Sequence, residues 1–215
     1  MTPRLLVFDL DGTLVDSRRD LADATNALLV ELGALPLPVD TVAAMVGEGA
    51  AMLVRRALSA SGLDPATPGA LDSFLVHYEQ RVLVHTRPYD GTREALAELQ
   101  TICPLAVLTN KPTRPTISIL DGLDLAGFFR WVVGGDTAHG RKPDPSGLRW
   151  LMRRAGADPR ETILIGDSPI DRETAVRAGA GICLVRYGFG FLFPEGYGDA
   201  LLADRPADLV ARLTG

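Results

Sequence analysis

Short apolar runs recur along the chain, each followed by a segment with helical spacing, and the order of these two patterns predicts the architecture. Leu5-Leu6-Val7-Phe8 has no polar alternation, the signature of a parallel strand buried on both faces. From residue 92 onward the pattern predicts helix 92–99, strand 105–108, helix 113–120, strand 131–133, helix 146–155, strand 162–165, helix 172–178 and strand 182–185. Strands and helices alternating at this pace imply a parallel sheet joined by right-handed crossovers. Residues 18–84 read as almost wholly helical. Leu21, Leu28 and Leu32 mark one apolar face ahead of Gly33, and Leu71, Phe74, Leu75, Tyr78 and Val82 mark another. Between them, Gly47-Glu48-Gly49 leads into a helix carrying Leu53, Ala57 and Ala60, whose first amides could meet an anion or simply open the helix. The expected fold class is therefore α/β, with a core from 1–15 and 86–215 and a helical insertion at 16–85. The chain would cross between the two near Asp16-Ser17 and again over residues 86–91.

Composition narrows the function more by exclusion than by assignment. With 215 residues, 47% of them hydrophobic, the chain can bury a core and still carry an insertion. A formal charge of -5 provides no general attraction to nucleic acid, so no nucleic-acid partner is expected. No apolar stretch approaches the roughly 20 residues that span a bilayer. The first strand begins close to the amino terminus, leaving no room for a signal sequence, so a cytoplasmic protein without a membrane partner is expected. Cys103 and Cys183 lack CxxC spacing and read as buried free thiols, while His77, His85 and His139 are too scattered for a metal site. Trp131 and Trp150 read as core residues. The segment 187–193, Tyr-Gly-Phe-Gly-Phe-Leu-Phe, either packs beneath helices or offers a patch for self-association, so both monomer and homodimer stay open.

The strand ends carry the chemistry. Asp9 and Asp11 follow the first strand within Asp9-Leu10-Asp11-Gly12-Thr13, at the sheet edge where open α/β folds bind ligands. Two anions held there need a cation or a shared proton, and a divalent metal answers simply, although the string alone could be an acidic turn. Other strands end in Thr109-Asn110-Lys111, Gly134-Gly135-Asp136 and Gly166-Asp167-Ser168, with Asp171 one helical turn later. Asp9, Asp11 and Asp167 supply hard oxygen donors suited to Mg2+, which favours a few carboxylates plus substrate phosphate. Thr109, Asn110 and Lys142 are candidates for phosphate oxygens, though Thr-Asn is also ordinary turn chemistry and a lysine before proline is often solvated. A carboxylate can attack phosphorus to form an aspartyl phosphate, with Asp9 as nucleophile and Asp11 as acid and then base.

These four motifs, Asp9-Leu10-Asp11-Gly12-Thr13, Thr109-Asn110-Lys111, Lys142-Pro143 and Gly166-Asp167-Ser168 with Asp171, resemble those of the haloacid dehalogenase superfamily of phosphatases. Val15-Asp16-Ser17, Val46-Gly47-Glu48-Gly49-Ala50, Thr86-Arg87-Pro88-Tyr89, Gly135-Asp136-Thr137 and Arg141-Lys142-Pro143-Asp144-Pro145 make the chain similar to its phosphoglycolate phosphatase branch. The resemblance implies a Rossmann-like core, a helical cap that closes during turnover, and magnesium held by Asp9, Asp167 and the Asp11 carbonyl with Asp171 nearby. It also implies a small phosphorylated metabolite as substrate, 2-phosphoglycolate first, with a pyrophosphatase, a sugar-phosphate phosphatase, a phosphosugar mutase or a non-catalytic phospho-ligand sensor as alternatives. Many relatives carry Asn where this chain has Glu48, and a carboxylate facing the site would repel the carboxylate of 2-phosphoglycolate. Arg56 is the cap candidate for pairing that carboxylate, against the common case of a solvated helix arginine.

Overall fold

Four consecutive apolar side chains can be buried on alternating sides only in the interior of a sheet covered on both faces, and this decides where the chain begins its fold. The computed structural model describes residues 2–191, 193 and 196–214. In chain order the elements are β1 (Leu5–Phe8), β2 (Val15–Asp16), α1 (Arg18–Glu31), α2 (Val39–Ala43), α3 (Ala50–Ala60), α4 (Ala70–Glu79), β3 (Arg87–Pro88), α5 (Thr92–Leu99) and β4 (Leu105–Leu108). Next come α6 (Thr113–Gly122), β5 (Phe129–Val133), α7 (Ser146–Ala155), β6 (Thr162–Gly166), α8 (Pro169–Ala178), β7 (Gly181–Val185), β8 (Leu201–Ala203) and α9 (Asp208–Thr214).

The main sheet is parallel, in the order β5-β4-β1-β6-β7-β8, so β1 lies inside it with β4 and β6 as neighbours. Leu6 and Phe8 enter one apolar cluster with Leu96, Ile119, Leu209 and Leu213, which places α5, α6 and α9 on that face. Leu5 and Val7 enter the other with Leu148, Leu151 and Ala175, which places α7 and α8 opposite. Each fully buried large side chain contributes roughly 1.5–3 kcal/mol relative to exposure. Strand order reverses around β1, so the loops after β1, β4 and β6 open onto one crevice.

Helices α1 to α4 share a separate apolar cluster that includes Leu21, Leu28, Leu53, Leu58, Phe74 and Tyr78. The expected helical region, with its stop at Gly33 and a new helix after Gly49, consists of four helices divided by turns. Two expected stripe members point outward: Leu71 is 36% exposed and Ala60 is exposed. In α4 the inward line runs Ala70, Phe74 and Tyr78, spaced four apart, and Leu71 lies one step round the helix from it. Phe74 and Tyr78 stack with ring centroids 5.8 Å apart.

The two chain crossings are zipped together. β2 and β3 pair antiparallel, matching Val15 with Pro88 and Asp16 with Arg87. Asp20, fully buried at the start of α1, accepts from the backbone N–H of His85 at 2.9 Å, of Thr86 at 2.8 Å and from the Thr86 hydroxyl at 2.7 Å. One carboxylate thus ties the return crossing to the helix that starts the insertion. The short β8 and α9 carry no strong periodic signal and were not expected from the sequence. Cys103 and Cys183 are buried, as expected. Trp131 and Trp150 are half-buried at the margin of the second cluster rather than inside it. No helix among the described residues is long and apolar enough to cross a membrane.

Candidate active site

The turn after β1 sets the geometry. Asp9 keeps its backbone in the sheet, donating to the Ile165 carbonyl at 2.9 Å, and Gly12 donates back to the Val15 carbonyl at 2.9 Å. Gly12 has φ of +83°, and a Cβ at this position would lie 2.0 Å from Asp167 Oδ2. Only glycine combines that backbone with so close an approach, and this is how the β1 turn reaches the carboxylate at the end of β6.

Asp9, Asp167 and Asp171 are all buried, and one carboxylate oxygen from each lies within 4.8 Å of the others. Lys142 stands among them, its Nζ 2.8 Å from Asp9 Oδ1 and 2.6 Å from Asp171 Oδ1. Burial raises Asp9 from the usual carboxylate range to about 6, and repulsion from Asp171 and Asp11 adds to the rise while Lys142 opposes it. Burial, then Asp171 and Asp9, pushes Asp167 well above its ordinary value. Burial works against the Lys142 ammonium, but Asp171 and Asp9 override it and hold the lysine above its usual value.

Asp171 is fully committed. Its second oxygen accepts from the Ser168 N–H at 3.1 Å and from the Ser168 hydroxyl at 2.6 Å, completing the capping box of α8. Asp167 Oδ2 accepts from the Gly190 N–H at 2.7 Å. Asp9 Oδ1, by contrast, accepts no well-aligned hydrogen bond despite its lysine neighbour. Three buried carboxylates against one ammonium, with one carboxylate oxygen lacking a hydrogen bond, fit a hard divalent cation bound by oxygen donors. Asp9 and Asp167 are the side chains with capacity to hold it.

Asp11 faces a different partner. Lys111 Nζ donates to its two oxygens at 2.9 and 2.8 Å, and the Ser17 hydroxyl donates at 2.6 Å. Lys111 also sits 4.7 Å from the centroid of the Tyr78 ring. Burial disfavours its charge, yet Asp11 and then Tyr78 keep it protonated, above its ordinary value. Lys111 belongs to the triplet after β4, so its position was legible in the sequence although its role was not. Ser17 and Tyr78 reach the site from α1's entry and from α4 with no local signal.

Asp9, Asp11, Thr109, Asn110, Lys111 and Asp167 line one cavity of about 50 Å³, under an apolar roof that includes Leu53, Phe74 and Leu75. At roughly 10–15 Å³ per water, the space admits a few waters or a small anion. Asn110 uses its amide donors on the carbonyls of Gly47 and Lys142, both at 2.9 Å, so it ties the insertion and the Lys142 loop to the core. Its Oδ1 has no partner. Lys142 and Asp171 lie behind this wall and do not line the cavity. Arg56 is not in the lining either: it pairs with Glu48 and donates to the Met45 carbonyl at 3.0 Å. The Glu48 carboxylate is likewise outside.

The glycine-spaced aromatic segment after β7 forms a wall of the site, not an exposed patch. The Tyr187 hydroxyl donates to the Thr13 carbonyl at 3.0 Å, its ring packs on Tyr89, and Phe189 and Gly190 line the cavity. A Cβ on Gly188 would meet Asp167 Cβ at 2.3 Å, so small residues let this backbone close over the carboxylate. Leu192, within that segment, lies outside the described residues.

Comparison with known proteins agrees with this geometry. The haloacid dehalogenase-like hydrolase family matches residues 6–185. The chain is 41% identical to the phosphoglycolate phosphatase of Pseudomonas syringae pv. syringae over 214 residues, covering 97% of this chain and 76% of that protein. It is 43% identical to the phosphoglycolate phosphatase of Rhodospirillum rubrum over 195 residues, covering 87% and 81% respectively. The crystal structure of a predicted phosphoglycolate phosphatase from Haemophilus somnus superposes with a TM-score of 0.91 at 28% identity, covering 98% of both chains. With strand-end carboxylates gathered at one crevice and these likenesses running almost end to end, the chain belongs to the haloacid dehalogenase-like hydrolase family, as a phosphomonoester hydrolase.

Proposed function

We propose that this protein hydrolyses 2-phosphoglycolate in a magnesium-dependent reaction that passes through a phosphorylated Asp9. The observation that carries the reading is the setting of Asp9: it lines the cavity, shares a buried carboxylate cluster with Asp167 and Asp171, and faces the Lys142 ammonium at 2.8 Å. The substrate identity draws on the phosphoglycolate phosphatases to which the chain is similar.

In this mechanism an Asp9 oxygen attacks phosphorus and the ester P–O bond breaks. Asp11 gives a proton to the departing alkoxide. Asp11 then takes a proton from water, whose oxygen attacks the phosphoaspartate and releases orthophosphate and Asp9. Lys142 offsets charge on Asp9 while Asp171 fixes the lysine, and Thr109 presents a hydroxyl to the phosphoryl group. Magnesium, held by Asp9, Asp167 and the Asp11 carbonyl with Asp171 in support, would supply charge neutralisation for the phosphoryl oxygens. The helices of 16–85 act as a cap that excludes water when closed over the substrate, pivoting at the paired crossings β2 and β3.

The test is phosphate release from 2-phosphoglycolate and from an aryl phosphate, with magnesium and with chelator, by the parent and by Asp9→Asn. The reading requires turnover that chelator abolishes and Asp9→Asn lacks. Phosphate binding without turnover in the parent would instead support a sensor.

A further inference from the structure

We propose that Lys111, together with Tyr78, recognises a carboxylate on the substrate, and that this recognition draws Lys111 away from Asp11 and frees Asp11 to face the leaving oxygen. The proposal rests on the proton-transfer role given to Asp11 above and names the residues that decide substrate choice.

Lys111 is the one cation among the described residues that line the cavity. Lys142 lies beneath, engaged by Asp9 and Asp171, and Arg56 is paired with Glu48 outside. The Lys111 side chain is 4% exposed, so its ammonium is nearly as buried as a core residue and needs a counter-ion at every stage of the cycle. An ammonium carries three donors. Two are spent on the two oxygens of Asp11, which leaves one for a ligand.

Tyr78 provides a second, independent sign of a ligand. It lines the same cavity, is 2% exposed, and its buried hydroxyl has no hydrogen-bond partner. Burying a hydroxyl without a partner is unfavourable, and an anion beside Lys111 would supply the missing acceptor. Tyr78 comes from α4 and Lys111 from the end of β4, so a group held by both is read jointly by the insertion and the core.

The chemistry of a 2-phospho carboxylic acid matches this placement. Its carboxylate is attached to the carbon that bears the ester oxygen. Asp11 has to reach that same oxygen, so the substrate carboxylate arrives next to Asp11, and until Asp11 takes up the proton it will transfer the two anions repel unless one cation serves both. In the structure Lys111 grips both Asp11 oxygens and Ser17 holds one of them. Oδ1 is then saturated by two donors, and Oδ2 faces an ammonium that holds Asp11 as the carboxylate, so Asp11 has no proton to give to a leaving group. A substrate carboxylate that draws Nζ toward itself releases Asp11, whereas an ester without one leaves it held. The carboxylate therefore raises kcat as well as lowering KM.

The experiment measures kcat and KM for 2-phosphoglycolate and for ethyl phosphate, the same ester without the carboxylate, in the parent, Lys111→Gln and Tyr78→Phe. Inhibition constants for phosphonoacetate and methylphosphonate supply a readout of binding alone. In the parent, 2-phosphoglycolate is expected to lead in kcat/KM by roughly 100-fold, part of it in kcat. Lys111→Gln is expected to cut that ratio below about tenfold and to erase the preference for phosphonoacetate, with Tyr78→Phe between the two. A Lys111→Gln protein that slows both esters by the same factor overturns the proposal. A parent that hydrolyses ethyl phosphate as well as 2-phosphoglycolate overturns it too, while leaving the Asp9 mechanism intact. A parent that hydrolyses no phosphomonoester in magnesium removes both.

Discussion

Replacing Gly12 with alanine tests whether the approach of the β1 turn to Asp167 organises the site. The added Cβ would lie 2.0 Å from Asp167 Oδ2 and 2.6 Å from its Cγ. The carboxylate would have to retreat by at least about 1 Å to reach an ordinary contact. It has little room to do so, because the Gly190 N–H holds Oδ2 at 2.7 Å and the Gly188 backbone packs against Asp167 Cβ. A misplacement of about 1 Å in a catalytic constellation costs roughly 100-fold in rate. The backbone adds its own term, since alanine at φ of +83° is strained, by roughly 1–2 kcal/mol. At about 2–4 °C per kcal/mol, Tm should fall by about 2–8 °C. Two assays run in parallel separate the effects: kcat/KM as a function of magnesium concentration, and thermal unfolding. Gly12→Ala with kcat/KM within about fivefold of the parent and an unchanged magnesium requirement would refute the reasoning.

Lys142→Met strands Asp9 and Asp171 in the interior, which should cost roughly 3–5 kcal/mol and appear as a Tm lower by about 6–20 °C; an unchanged Tm would show that the ammonium does not hold the carboxylates together. Because Asp9 is raised from 3.8 to about 6, the folded metal-free protein binds more protons than the unfolded chain between those values, so its stability should fall as pH rises through them. Magnesium should bind more tightly as pH rises, with proton release into a weak buffer as the direct readout, and stabilisation by magnesium that is greater at about pH 5 than at about pH 7 would contradict this. Asp20→Ala should leave the His85 and Thr86 amides unpaired at roughly 1–3 kcal/mol each, so thermal unfolding at the parent's Tm would argue that the crossing does not need its clamp. Glu48→Asn should change kcat/KM for 2-phosphoglycolate by less than about threefold, because Glu48 is paired with Arg56 outside the cavity; a larger change would place its carboxylate in contact with substrate.

Local pattern was enough for the sheet and for most of the reactive side chains. Leu5–Phe8, Leu105–Leu108 and Thr162–Gly166 are apolar runs whose lengths and lack of alternation match buried parallel strands, and each hands its following polar residues to the same edge. Asp9, Thr109 and Asp167 were therefore legible as neighbours despite their separation along the chain, since parallel strands bring their carboxyl ends together by topology alone. The change to helical pattern after residue 16 likewise led to helices α1 to α4, which share an apolar cluster of their own.

Charge pairing was another matter, because it depends on which elements fold against one another and on side-chain reach. Nothing in the spacing of residues could show that Lys111 would hold Asp11, that Tyr78 from α4 would cover it, or that Arg56 would spend its guanidinium on Glu48. The same holds for Tyr187 to Gly190, whose aromatic and glycine content left packing beneath helices and a surface patch both open until the fold brought that backbone against Asp167. Hydrophobic period is a property of neighbours in the chain, so the amino-acid order alone determined the strands, the insertion and the edge where the acids gather. The pairing of buried charges is a property of neighbours in space, where one counter-ion excludes another, and only the tertiary structure decided it.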